Sequence, residues 1–219
     1  MKPSIGLLGG TFNPIHRGHI ELGLKIREVF HLQEILYILS ARPPHKKGMT
    51  VAPAELRWRM LQKALEPFPQ LVPCDIEMKR PADSWTIDTV SELKSRFPGN
   101  SYYFISGSEG FLKIRTWKNY RILLHELSFI VVLRKEGHRT EVEQLLLEEN
   151  ITPCYEFPNP QQPGAEIPAV YLFSYCSEQL GLSSTFIRQK VKSSGFERIE
   201  HFVVEDVKKI MEENKLYEK

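Results

Sequence analysis

Short apolar runs alternate with longer amphipathic ones along this chain, and the alternation predicts its architecture. Ile5–Leu8, Glu34–Leu39, Leu71–Met78, Ser101–Ile105, Leu127–Leu133 and Val170–Phe173 read as strands. Ile20–Phe30, Ala54–Leu65, Thr86–Phe97, Thr140–Glu149, Ser184–Val191 and Val203–Asn214 read as helices. In Ala54–Leu65 the residues Leu56, Met60, Leu61 and Leu65 return to one face. Leu127–Leu133 is apolar throughout, as in a strand covered on both faces. Pro73 cannot donate to a ladder, so the third strand is expected at an edge or a bend. Strands and helices in turn predict an α/β fold, a Rossmann-like, doubly wound parallel sheet. One domain over residues 1–219 is expected, closed by its last helices. The stretch Pro158–Gly164 reads as a surface loop and marks no boundary.

In such a sheet ligands bind beyond the carboxyl ends of the strands, where strand order reverses. The loop after the first strand is Gly9-Gly10-Thr11-Phe12-Asn13-Pro14-Ile15-His16-Arg17-Gly18-His19. Its glycines let a phosphate approach backbone N–H groups, and Asn13-Pro14 makes a turn. His16 and His19 fall three residues apart, on one face of a helix starting near Gly18. Free N–H groups, two imidazoles and glycine access together make an anion site. The G-x-x-x-x-G-K-[ST] loop is absent, and so is the dinucleotide pattern G-x-G-x-x-G. Two histidines at this spacing could also cap a helix or bind a metal. A metal needs a further ligand, and Cys74, Cys154 and Cys176 are scattered without C-x-x-C spacing, so no metal site is assigned.

The 219 residues carry a net charge of +2, which gives no general attraction to nucleic acid. No run is long enough to span a membrane. An early Lys2 followed by a glycine turn does not read as a signal peptide. With three unpaired-looking cysteines, a reducing cytoplasm is expected.

Three further loops fall at the same edge. Ser183 or Ser184 can cap the helix that begins there, and Thr185 and Arg188 could join them on phosphate oxygens. Arg42-Pro43-Pro44-His45-Lys46-Lys47 is a proline-stiffened basic loop, read either as a solvated surface or as a phosphate clamp. Ser106-Gly107-Ser108-Glu109 places a carboxylate where ribose hydroxyls could bind.

These motifs resemble the bacterial nicotinate-nucleotide adenylyltransferases of the H-x-G-H nucleotidyltransferase superfamily. His16-Arg17-Gly18-His19 is similar to the H-x-G-H site, and Ser183-Ser184-Thr185-Phe186-Ile187-Arg188 to the S-S-T-x-I-R signature. Pro43-Pro44-His45-Lys46 is similar to P-P-H-K, Ser84-Trp85-Thr86 to S-Y-T, and Thr116-Trp117 to the T/K-W pair. The resemblance runs from Gly9 to Arg188, and the ending Asn214-Lys215-Leu216-Tyr217 shares it. It implies transfer of AMP from ATP to nicotinate mononucleotide, with Mg²⁺ arriving on the ATP. It implies His16, His19, Lys46 and Arg188 as the catalytic set. Gly9, Gly10, Thr11, Phe12, Gly18, Gly107, Glu109, Ser183, Ser184 and Thr185 would hold ATP. Ser40, His45, Trp85, Thr86, Trp117 and Arg134 would hold the acceptor, with Trp117 stacking on the pyridine ring.

The chain departs from the pattern at Asn13, at Ser40-Ala41, at Trp85 where Tyr is usual, at Glu109 where Asp is usual, and at Lys118. Nicotinamide mononucleotide is the alternative acceptor, and a regulator that binds nucleotide without turnover is the alternative of another class. ATP and the mononucleotide are the expected partners, with neither nucleic acid nor membrane. A homo-oligomer is compatible with the pattern.

Overall fold

The computed structural model describes residues 2–43, 51–135, 137–151, 154–157 (backbone only), 168–175 and 181–218. Its strands are β1 (Ser4–Gly10), β2 (Glu34–Leu39), β3 (Leu71–Cys74), β4 (Ser101–Gly107), β5 (Ser128–Leu133), β6 (Cys154–Phe157) and β7 (Val170–Ser174). They form one seven-stranded sheet in the order β3-β2-β1-β4-β5-β7-β6. Every neighbouring pair is parallel. The helices are α1 (Arg17–Val29), α2 (Ala54–Leu65), α3 (Thr86–Arg96), α4 (Ser108–Phe111), α5 (Tyr120–Glu126), α6 (His138–Glu148), α7 (Ser184–Ser194) and α8 (Glu205–Glu213).

The period of two along the strands sorts side chains into two cores. Ile35, Tyr37 and Leu39 of β2, Ile130 and Val132 of β5, and Tyr171 and Phe173 of β7 face one layer. That layer takes the apolar stripes of α1, α2, α7 and α8, among them Ile26, Met60, Ile187 and Met211. Phe129 and Val131 of β5 and Val170 and Leu172 of β7 face the other, against Val90 of α3, Leu123 of α5 and Leu145 of α6. Both faces of the sheet are covered, which is why its strands read as near-continuous apolar runs.

The sequence reading places the strands and long helices correctly and misses short elements. β3 stops at Cys74, and residues 75–79 turn instead of extending to Met78. Pro73 lies opposite Tyr37 on the outermost strand, where its missing N–H costs no ladder bond. β6 has no counterpart in the reading, because four residues between Pro153 and Pro158 carry too little pattern. The short helices α4 and α5 escape for the same reason.

Strand order reverses between β1 and β4. The chain leaves β1 toward β2 and leaves β4 toward β5, so the loops beyond the two strands diverge. A crevice opens at their carboxyl ends.

Candidate active site

A cavity of about 390 Å³ fills this crevice. Gly9, Gly10 and Thr11 from the end of β1, and Ser106 and Gly107 from the end of β4, line it together. His19 of α1 and Arg134 beyond β5 complete one half. The other half is made by Ser40, Pro43, Glu77, Ser84, Trp85, Thr86, Thr89, Trp117 and Lys118.

The first half is built on the β1 turn. A side chain at Gly10 would stand 2.8 Å from the Phe12 ring, so only glycine leaves that ring in place. Phe12 adopts φ 45° and sets its ring edge-on to His19 at 5.2 Å. His16 caps α1, and its backbone N–H donates to His19 Nδ1 at 3.3 Å. The proton of a neutral His19 therefore sits on Nε2, which is left free to donate to an anion. The two imidazoles stack with centroids 3.7 Å apart. Burial holds the His16 imidazolium down at about 3, aided by the positive charge of Arg134. Burial lowers His19 as well, with His16 and Arg134 adding to the effect. Both rings are thus neutral donors near neutral pH. The first turn of α1 contains no acidic residue, so its positive dipole end is not cancelled. His16 Nδ1 is buried with no hydrogen-bond partner among the described residues.

Three groups that the sequence reading does not assign lock this turn. Arg57, only 2% exposed, donates to four backbone carbonyls. Its Nη1 reaches Thr11 and Ser40 at 2.8 Å each, its Nη2 reaches Ala41 at 3.0 Å, and its Nε reaches Ala52 at 2.8 Å. One guanidinium thus ties the β1 turn to the end of β2. Tyr217 donates to Asn13 Oδ1 at 2.6 Å, and the same oxygen accepts from the Ala52 N–H at 3.1 Å. Tyr37 donates to the carbonyl of His19 at 2.7 Å. A Cβ on Gly23 would lie 2.0 Å from that hydroxyl, so glycine in mid-helix makes room for the bond. A signal for Arg57 is present in the sequence. It shares the stripe Arg57, Met60, Leu61 and Ala64 on the buried face of α2. Tyr217 shows only as part of a familiar ending, and Tyr37 carries no signal.

The α7 motif packs behind the turn. Ser183 caps α7 by accepting from the Phe186 N–H at 3.1 Å. Ser184 donates to the Pro14 carbonyl at 2.8 Å. Arg188 donates to the Asn13 carbonyl at 2.9 Å and to Thr185 Oγ1 at 3.2 Å. Ser184 and Arg188 thus brace the β1 turn, and none of the four residues lines the cavity. Gly18 is buried in the first turn of α1.

The second half is aromatic and polar. Trp117 lies edge-on to Phe104 at 5.5 Å, and both line the cavity. Trp85 occupies the position just before α3, and Thr86 begins the helix. Lys118 pairs with Asp88 at 3.0 Å, neutralising the only acidic residue in the first turn of α3. Arg134 passes over Gly107, whose side-chain position would be 3.8 Å from its Nε. Glu109 is exposed and paired with Lys135, outside the cavity lining. That pairing lowers its carboxyl below the usual range. His45 and Lys46 lie outside the described residues. No cluster of three His, Cys, Asp or Glu side chains suited to a metal occurs among the described residues. None of the described helices is long and apolar enough to cross a membrane.

A doubly wound parallel sheet with a glycine turn and paired imidazoles at its switch point defines a nucleotidyltransferase-type α/β protein. The chain belongs to the cytidylyltransferase-like family, whose model matches residues 7–190, and within it to the nicotinate-nucleotide adenylyltransferases. It is 30% identical over 213 residues to a probable nicotinate-nucleotide adenylyltransferase of Geotalea uraniireducens, covering 97% of each chain. It is 33% identical over 213 residues to a protein of that name from Thermus thermophilus, covering 97% of this chain and 98% of the relative. Its fold is similar to that of the Plasmodium falciparum nicotinic acid mononucleotide adenylyltransferase complexed with NaAD. There the TM-score is 0.76 at 19% identity, over 98% of this chain and 97% of the other.

Proposed function

We propose that this protein is an enzyme that transfers AMP from ATP to nicotinate mononucleotide, releasing pyrophosphate and forming nicotinate adenine dinucleotide. The carrying observation is that one cavity joins the glycine turn after β1 and His19, which is stacked on His16, to a half lined by Trp85 and Trp117.

An oxygen of the acceptor's phosphate attacks the α-phosphorus of ATP. The bond from that phosphorus to the bridging oxygen breaks, and pyrophosphate leaves with the electron pair. The nucleophile is already an anion, so no general base is required. Catalysis is then positioning and charge stabilisation. His19 donates from Nε2 to the reacting phosphate, with its Nδ1 held by the His16 N–H. Arg134 supplies positive charge to the same half of the cavity. The α7 motif holds the turn in register through Ser184 and Arg188. Mg²⁺ enters as part of the substrate, bound to the triphosphate. Trp117 offers its face to the pyridine ring, and the N-terminal turn of α3 faces the ring's carboxylate.

The test is pyrophosphate release with MgATP and three acceptors: nicotinate mononucleotide, nicotinamide mononucleotide and phosphopantetheine. Release with the nicotinate acceptor supports the reading. Release with phosphopantetheine alone, or with none of the three, overturns it.

A further inference from the structure

One group in the acceptor half has no use in the mechanism above. Glu77, in the turn after β3, lines the cavity and is 6% exposed. Its Oε1 accepts from Thr89 Oγ1 at 2.7 Å. Its Oε2 is buried and has no hydrogen-bond partner among the described residues. A buried carboxyl oxygen left unpaired is costly, and a ligand atom facing it would remove that cost.

The surroundings say where on the ligand that atom lies. Thr89 Oγ1 also reaches the carbonyl of Trp85 at 3.3 Å, so the Glu77 carboxyl sits against the first turn of α3. Trp85 and Trp117 line the same half of the cavity, which makes this the ring end of an aromatic acceptor. A ring substituent placed here meets two unlike neighbours, the N-terminal turn of α3 and the Glu77 carboxyl. Two carboxylates in hydrogen-bond contact cannot both stay ionised. A carboxylate substituent fits only if Glu77 is protonated and donates to it. A carboxamide fits an ionised Glu77, with its NH₂ donating to Oε2.

We propose that Glu77 is a specificity-determining residue that selects the acid over the amide acceptor by carrying a proton into the complex. This rests on the proposed AMP transfer to a pyridine mononucleotide. Burial favours the protonated form and raises the carboxyl above its usual range, while Thr89, Ser84 and the Arg80 charge pull the other way and Asp88 reinforces burial. Arg80 is itself divided between Glu92 and Thr89, and Asp88 is paired with Lys118, so neither is a dedicated partner of Glu77. From β3, Cys74 is close enough to feel the Glu77 charge.

The experiment measures kcat/KM for nicotinate and nicotinamide mononucleotides from pH 6 to 9 in the wild type and in Glu77→Gln. Taking the ratio of the two acceptors cancels titrations they share, including those of the phosphates and of the histidines. In the wild type the acid-to-amide ratio falls by about tenfold per pH unit, because the protonated carboxyl takes the acid and the ionised one takes the amide. In Glu77→Gln the ratio no longer depends on pH. A second readout needs no variant. Calorimetry in buffers of different ionisation enthalpy should show uptake of about one proton per acid acceptor bound above the titration of Glu77, and none for the amide. A flat ratio in the wild type, an unchanged slope in Glu77→Gln, or equal proton uptake for both acceptors overturns the proposal. Turnover with neither acceptor would instead overturn the reaction on which it rests.

Discussion

The two halves of the cavity are built in opposite ways. The nucleotide half is one contiguous stretch, Gly9 to His19, held from outside by side chains remote in sequence. Arg57, Ser184, Arg188 and Tyr217 all end on its backbone or on Asn13. The acceptor half has no such contiguous stretch. Its side chains come one or a few at a time from the end of β2, the turn after β3, α3 and the segment after α4, and one of them keeps an oxygen with no hydrogen-bond partner among the described residues. Fixed phosphate chemistry is met by a locked backbone, whereas choice among acceptors is met by single side chains over a fixed scaffold.

That contrast can be attacked from either side. The largest effect is expected from His19→Ala. Losing a preorganised donor to the reacting phosphate should lower kcat by about 100–1,000-fold. The fall in stability in urea should be small beside the loss of turnover, since it comes only from the His16 bond and the ring contacts with His16 and Phe12. A folded His19→Ala protein with normal turnover would remove this residue from the mechanism.

Arg57→Met comes next and should strike folding as well as turnover. It leaves four carbonyls without their donor, at a cost of about 2–4 kcal/mol in chemical denaturation. KM for ATP and for the acceptor should rise together, since the Thr11 and Ser40 carbonyls share this guanidinium. A change confined to one substrate would contradict the staple.

Acid should loosen the nucleotide half through His16. Its folded-state value of about 3 lies below the ordinary histidine value, near 6.5. The unfolded chain therefore binds more protons in that window, and stability falls as pH drops through it. Thermal melts from pH 7 to 4 should show a shallower fall in His16→Gln than in the wild type.

Trp117→Leu tests the acceptor half alone. Removing the aromatic face should raise KM for the mononucleotide by about 3–10-fold and leave KM for ATP unchanged. Equal rises for both substrates would place Trp117 in the scaffold. The smallest effect is expected from Tyr217→Phe, which loses the one bond to Asn13. It should cost about 1 kcal/mol of stability, with a modest rise in KM for ATP and none for the acceptor.

Local sequence suffices for six of the seven strands and for the nucleotide turn. Period-two strands and amphipathic helices follow from local alternation, and Gly9-Gly10 with His16 and His19 is legible because phosphate binding by backbone demands contiguous residues. Pro73 restricts β3 to an edge or a bend, and the strand lies at the edge. The short elements β6, α4 and α5 are lost because each spans fewer residues than a repeating pattern needs. What Arg57, Glu77 and Tyr217 do becomes visible only in three dimensions. A charge in the apolar stripe of α2 shows that something is to be satisfied there, but not by which carbonyls. The partners of Arg57 reach back 46 residues to Thr11, and Tyr217 lies 204 residues from Asn13. Glu77 meets Thr89 only because the turn after β3 folds against α3. Hydrogen bonds between distant segments leave no periodic trace in a chain, because what they need is closeness in space, and packing alone supplies that.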